Sequence, residues 1–367
     1  MVYDKWDDAI FFLQDEGEHR IRRMKDGKIE TLCSTKSLVN NARSICFSLD
    51  GDTLFIGNDN ANNYVANPVA VGMVTRKGGF KDLKSYIPSE KLAQPHINGI
   101  AVNPVDGSLF TYHWGRHVFR YNKATETCEY VITRDQFNEL VVGLFPDADG
   151  NMQNIGGDGG YGGLAFSPDG KTLYFCTAGE RPIPKEFSAI KYSLCSIAFD
   201  PDTRSFGSVV DTLYNANTAG QSVSFPRVSP DGKHLMYTVS GYGNFSIWHK
   251  DADLYMADLS TGESVPLDIL NSDDVESYHS WSSNSRWVIF SSRRIDGLYT
   301  RPYIAYIGED GKACKPFLLP QKDTEFYDRF MMSYNIPEFI TGKVKVGGRV
   351  LGLKAKEDKG IDVKFAK

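Results

Sequence analysis

The chain has 367 residues, with 41 basic against 46 acidic side chains and a formal net charge of -5. Charge this evenly balanced, with no basic block, argues against nucleic acid as a partner. No run of about 18 apolar residues is present to span a membrane.

The N-terminus, Met-Val-Tyr-Asp-Lys-Trp-Asp-Asp, lacks the basic and apolar regions of a signal peptide. Three strands are predicted at once, over Asp8–Gln14, His19–Met24 and Lys28–Cys33, with Lys25-Asp26-Gly27 as a tight turn between the last two. From there one pattern recurs: a strand, a turn rich in Asp, Gly or Asn, and a more hydrophobic return strand. Ala42–Ser48 runs into Leu49-Asp50-Gly51-Asp52, and Asn98–Asn103 into Pro104-Val105-Asp106-Gly107. Gly162–Ser167 precedes Pro168-Asp169-Gly170-Lys171, Val223–Ser229 ends in Ser229-Pro230-Asp231-Gly232, and Tyr278–Ser282 meets Ser283-Asn284-Ser285-Arg286. In such turns Pro pre-sets φ, Asp bonds its own backbone and Gly accepts a positive φ.

The stretch Ser222–Leu267 is the fullest copy, four short strands in succession. Four antiparallel strands at this period make one blade of a β-propeller, and a lone blade could not bury its own faces. The sequence therefore predicts an all-β, six-bladed β-propeller of four-stranded antiparallel blades. Blade 1 lacks an innermost strand before Trp6, so the ring is expected to close by pairing of the two termini, with Phe339–Leu353 filling the gap. Residues 1–353 form one domain on this reading, and the charged 354–367 a tail. Between Arg134 and Gly160 the repeat lapses into a polar, Gly-rich insertion. Asp323–Phe339 reads as irregular and aromatic, with one short helix.

Residues 160–340 resemble TolB-type propeller repeats of exported proteins in Bacteroidetes-like bacteria. The matching motifs are Ser167-Pro168-Asp169-Gly170, Ser229-Pro230-Asp231-Gly232, Phe245-Ser246-Ile247-Trp248-His249, His279-Ser280-Trp281-Ser282-Ser283 and Phe290-Ser291-Ser292-Arg293-Arg294. From Trp6 to about Thr133 the chain looks more like NHL-type repeats, on Ile10–Leu32 and Ile97–Tyr121. The change of style near 153–160 suggests a junction between two half-propellers, natural or engineered. The resemblance implies a periplasmic or cell-surface protein. Without it, the N-terminus allows a cytosolic protein or one whose leader has been removed.

Residues that begin innermost strands line a propeller's axial funnel. By turn alignment these include Arg43, His96, Asn98, Tyr161, Arg227, Tyr278 and His279, a polar, aromatic and cationic set suited to a polar or anionic ligand. Arg293, Arg294 and Arg301 could hold a carboxylate or phosphate bidentately, against the plainer expectation of salt bridges to Asp296 or Asp253. Asp147, Asp149 and Asp158 carry oxygen ligands for calcium but lack the EF-hand's distal Glu. His113 and His117 have metal-like spacing across a strand end, where the rings need not converge. His96, His249 and His279 could meet only near the axis, as the histidines of TolB-like oligogalacturonate lyases do around a metal. No nucleophile elbow, zinc-protease helix or phosphate loop occurs. Cys33, Cys46, Cys128, Cys176, Cys195 and Cys314 are scattered and read as buried free thiols.

The function expected is a binding or scaffolding module for a protein or carbohydrate-like ligand, monomeric and without a cofactor. The alternatives are a metal-assisted polysaccharide lyase or hydrolase in the funnel, and an engineered chimera with no evolved function. For the scaffold, an exposed aromatic patch from Tyr242, Phe245 and Trp248 is expected.

Overall fold

The computed structural model describes residues 2–14, 20–34, 42–58, 71–75, 80–82, 97–113, 118–122, 127–132, 152–155, 164–179, 187–203, 205–243 and 245–343, with 347, 349, 350 and 353. They fall into two compact units, Met1–Phe137 with Ile340–Lys367, and Asn138–Phe339.

The first unit holds three antiparallel sheets in chain order. These are β1 (Val2–Asp4), β2 (Ala9–Gln14), β3 (Arg20–Lys25) and β4 (Lys28–Ser34); then β5 (Ala42–Phe47), β6 (Thr53–Asn58), β7 (Val71–Thr75) and β8 (Phe80–Asp82); then β9 (Ile97–Val102), β10 (Leu109–His113), β11 (Val118–Asn122) and β12 (Thr127–Ile132). Alternation along the strands builds the core between neighbours. Ala9, Phe11 and Ile21 of the first sheet pack against Leu54, Ile56 and Val74 of the second.

The second unit holds β13 (Met152–Ile155), β14 (Leu164–Phe166), β15 (Thr172–Gly179), β16 (Ser193–Asp200) and β17 (Ser205–Tyr214) in one sheet. Next come β18 (Ser222–Val228), β19 (His234–Ser240), β20 (Asp253–Asp258) and β21 (Ser264–Pro266). The last sheet is β22 (Glu276–Trp281), β23 (Trp287–Ser292), β24 (Arg301–Tyr306) and β25 (Phe317–Leu318). β19 is buried on both faces. Leu235, Tyr237 and Val239 join Tyr174, Cys176 and Leu194 on one side, while Met236 joins Val288 and Phe290 on the other.

Two parts of the fold prediction are corrected. Among the described residues the regular four-stranded blade occurs five times, not six, because the sheet spanning 152–214 has five strands. Within it β15 is eight residues long and pairs both β13, through Thr177–Gly179, and β14, through Leu173–Phe175. Met152–Ile155 thus belongs to a ladder rather than to the polar insertion assigned to that stretch. The strand expected at 339–353 to close the ring is also not found among the described residues. The innermost strand of the first blade is Val2-Tyr3-Asp4 itself, paired with Ala9–Phe11. The short Val-Tyr-Asp run was missed because the turn that follows it leaves so few residues; buried Asp4 caps that turn, accepting from the backbone N–H of Trp6 (3.0 Å) and Asp7 (3.2 Å).

Four of the five repeated turns share one hydrogen-bond set, the exception being 103–108, where Asn103 Oδ1 accepts from Val105 and Asp106 N–H. In Ser167-Pro168-Asp169-Gly170 the Ser167 hydroxyl donates to Asp169 and accepts from Thr172 N–H at 3.0 Å, while Lys171 N–H donates to Asp169 Oδ1 at 3.1 Å. The Ser167 bond, followed by that from Lys171 N–H, holds the Asp169 carboxyl below the usual range. Ser48, Ser229 and Ser282 repeat the pattern with Asp50, Asp231 and Asn284. Neighbouring turns in the second unit are stitched together as well, Asp231 N–H donating to Ser285 Oγ at 2.9 Å.

Candidate functional site

Apart from β1, whose pairing is regular, the innermost strands are not regular ladders, and each is interrupted part-way along. Ser224 faces Thr238 and Arg227 faces Met236, so Phe225 and Pro226 together oppose Tyr237. In the next sheet Ser277 faces Ser291 and Ser280 faces Ile289, so Tyr278 and His279 together oppose Phe290. Phe225 and Tyr278 both adopt left-handed backbone, each with φ 54°. Pro226 fits where it does because a bulged residue owes the ladder no N–H. In the first unit the register shifts between Ala42 and Ser44, at Arg43, and between Ile97 and Gly99, at Asn98. Between Ile155 and Leu164 the ladder skips from Thr177 to Phe175. Bulges re-aim side chains and collect beside binding and active sites. Of the funnel residues chosen from turn alignment, Arg43, Asn98, Tyr278 and His279 thus sit at bulge positions and Arg227 directly beside one. Period-2 patterning gives no sign of such bulges.

Of the seven funnel residues, Arg43 and Asn98 are placed by backbone only, and His96 and Tyr161 lie outside the described residues. Arg227, Tyr278 and His279 are brought together in the second unit. The Phe225 and Tyr278 rings meet edge to face with centroids 4.8 Å apart. Trp281 Nε1 donates to the Arg227 carbonyl at 3.0 Å. His279 is buried and its Nε2 lies 3.1 Å from the Met236 carbonyl, a bond in which that nitrogen is the donor. Burial, helped by the Arg227 charge, pushes the His279 imidazole down to about 3, so it is neutral and serves to tie β22 to β19. Arg227 is half-buried, and burial lowers its pKa against the opposing pull of Glu338.

The other histidines expected at a metal are His249, whose ring packs 4.1 Å from that of Tyr242, and His96. The pair His113 and His117 and the acidic loop 147–158 fall on residues whose side chains are not described. Among the described residues no three His, Cys, Asp or Glu side chains are grouped to hold a metal. Cys176 and Cys195 are buried free thiols, Cys46 is half-buried, and Cys314 is exposed, against expectation.

The three loop arginines have separate fates. Arg294 pairs with buried Glu276 at 3.0 Å rather than with Asp253 or Asp296. Arg301 is buried and donates to the carbonyls of Met332 (2.6 Å) and Phe330 (2.7 Å), with Asp296 3.8 Å away. It thereby pins the segment 323–339, where Phe326–Arg329 is a single helical turn. The same segment is held by Ser280 Oγ donating to the Pro337 carbonyl (2.8 Å) and Ser291 Oγ to that of Asn335 (2.9 Å). Arg293 instead lies against Trp248, its guanidinium carbon 4.1 Å from the ring centre.

That contact joins two loops, each linking the second and third strands of its blade. The loop 241–252 carries Phe245, 57% exposed, and Trp248, 68% exposed; the loop 293–300 carries Ile295 and Leu298, 53% and 67% exposed. The first loop is anchored from below. Ser246 and Ser277 share a 2.8 Å hydrogen bond, and Ile247 packs with Ala252, Val275 and Tyr278. The bulge at Tyr278 and the outer loops therefore form one connected structure. Tyr242, expected in the exposed patch, is only half-exposed against His249. The same sheets enclose a separate cleft of about 420 Å³, lined by residues that include His234, Asp258, Glu263, Asp268, Asp310 and Lys312.

No family model matches the chain, and no curated protein is similar to it in sequence. Solved structures do resemble it. An auxiliary nutrient binding protein from Bacteroides thetaiotaomicron superposes with a TM-score of 0.50 at 14% identity, covering 83% of this chain and 68% of that one. The periplasmic gluconolactonase of Pseudomonas aeruginosa gives 0.50 at 15%, covering 86% and 83%. The fold is an all-β propeller. An oligogalacturonate lyase from Vibrio parahaemolyticus also aligns, over 84% of both chains at 12% identity, but its TM-score of 0.41 carries no argument about this propeller. At such identities the likeness is one of fold, and the TolB-type and NHL-type resemblances rest on the motifs alone. No helix among the described residues is long and apolar enough to cross a membrane.

Proposed function

We propose that this propeller is an extracytoplasmic binding module that docks a protein partner on the loop surface of its second unit. The observation that carries the reading is the cluster of large apolar side chains left exposed there, Phe245, Trp248, Ile295 and Leu298, on loops that the fold holds firmly. Scattered exposed apolar residues are ordinary, but a group on adjoining loops around one Trp fits an interface. Branched aliphatic residues beside the aromatics favour a polypeptide over a sugar. The extracytoplasmic location is supported by the TolB-type motifs.

Selection from a displayed random peptide library tests the reading. The wild-type protein is expected to enrich peptides that Trp248→Ala binds at least about tenfold more weakly, as for a central interface Trp. Enrichment equal for both proteins, or none at all, would refute it.

A further inference from the structure

Arg293 differs from Arg294 and Arg301 in lying against the Trp248 ring without a side-chain hydrogen bond or ion pair among the described residues. Arg294 is engaged by Glu276 and Arg301 by backbone carbonyls. Arg293 is 8% exposed, its Nε is buried without a hydrogen-bond partner, and its side chain makes no hydrogen bond or ion pair among the described residues. The two nearby carboxylates lie beyond ion-pair distance of it, and one oxygen of each is engaged elsewhere. Asp296 Oδ1 accepts from Leu298 and Tyr299 N–H, both at 2.8 Å, and Asp274 Oδ1 accepts from Val275 N–H at 2.8 Å. A buried donor left unfilled, as this Nε is, carries a desolvation penalty, while the two terminal nitrogens are not buried away from the surface.

The position of Arg293 indicates what its donors would take. Because Arg293 is buried and Trp248 is 68% exposed, the guanidinium lies on the inner side of the indole and the outer face is open. A ligand reaching the guanidinium would meet the exposed Trp248, and Ile295 and Leu298 are exposed on the loop that begins with Arg293 itself. We propose that Arg293, seated beneath Trp248, is the anion receptor of this surface, and that it takes the Asp or Glu carboxylate of a peptide segment whose neighbouring side chains are apolar. The inference rests on the peptide-binding reading above. A carboxylate matches the planar guanidinium fork. It also carries a single charge, which the flanking Asp274 and Asp296 oppose less than they would a phosphate dianion.

The peptides enriched by the wild-type protein decide the matter when sequenced and compared with those enriched by Arg293→Gln. Acidic residues next to apolar ones are expected with the wild type, and loss of the acidic preference with Arg293→Gln, which retains the apolar one. A single Asp→Asn change in an enriched peptide should weaken wild-type binding about tenfold or more and leave Arg293→Gln binding unchanged, since a hydrogen bond to a charged group is lost only in the first case. Thermal unfolding of both proteins verifies that the variant is folded, and Arg293→Met, which also removes the charge while roughly keeping the bulk, serves if it is not. Enriched peptides without acidic bias, or with the same bias for both proteins, would overturn the carboxylate assignment while leaving peptide binding in place. No enrichment over Trp248→Ala would overturn both. A parallel glycan array on which only acidic glycans bind would overturn the choice of a peptide.

Discussion

Gly51 sits in left-handed backbone at φ 70°, and a Cβ built there would lie 2.5 Å from the Trp6 ring. Two penalties coincide at that residue, the backbone strain of a left-handed L-residue and the loss of close packing by an indole from the neighbouring blade. Gly51→Ala should therefore destabilise the protein by about 2–4 kcal/mol, seen as a lower chemical denaturation midpoint. Gly262 has φ 75° with nothing within 4 Å of its built Cβ. Gly262→Ala should cost only about 1–2 kcal/mol, the backbone part alone. Equal losses at the two sites would show that Trp6 makes no tight contact with the turn. The left-handed glycines themselves were legible, since Asp-Gly between two strands specifies such a turn. Phe225 and Tyr278 were not: a bulky residue with positive φ leaves no local mark, and only the paired strand reveals the extra residue in the ladder.

At the scale of the element, the segment 323–339 has almost no regular structure of its own, and Arg301 is its main fastening. The guanidinium sits within 6 Å of the ring centres of Tyr299, Tyr327 and Phe330 as well as bonding two carbonyls. Arg301→Met would remove the donors while roughly keeping the bulk. It should cost about 3 kcal/mol, the order expected when one side of a buried charged network is deleted. Limited proteolysis should then cut within 323–339 at temperatures where the wild-type segment resists; unchanged resistance would show that the serine contacts suffice. The sequence showed an aromatic, irregular segment with a short helix here, and in this it was readable. It did not show that one of three closely spaced arginines would serve the backbone, one a glutamate and one neither, because that division depends on which carbonyls and carboxylates arrive from distant strands.

Across the whole molecule, blade strands and turns were predictable where period-2 alternation met an Asp-Gly turn, as from Val223 to Ser240. Blade number and closure were not, since three-residue strands such as Val2–Asp4 and Leu164–Phe166 carry too little pattern to declare themselves. The fold as a whole also carries a pH dependence. Burial, with repulsion from Glu276, Asp251 and Asp268, pushes the Asp253 carboxyl up to about 6. A raised carboxyl binds its proton more tightly folded than unfolded, so its contribution is present below about pH 4 and is lost as pH rises through about 6. Burial likewise raises Glu276, with the same sign. Asp253→Asn should consequently stabilise the protein at pH 7 by about 1 kcal/mol, a figure reduced for the site's solvent access. It should also flatten the fall in stability between pH 4 and 6 measured by denaturant titration, and an unchanged slope would refute the assignment.

The ladder along β15 has one further implication, for how this protein can change over time. Ile155 faces Thr177 and Leu164 faces Phe175, two residues apart on the same strand, although eight residues separate Ile155 from Leu164 in the chain. The pairing resumes in step on either side, so the sheet does not register how much chain lies between. Doubling a flexible loop raises its closure free energy by only about 0.6 kcal/mol. New sequence can therefore be acquired, lost or grafted at this point with little penalty to the scaffold. The position is a port through which the propeller can take on new specificity while its blades stay as they are.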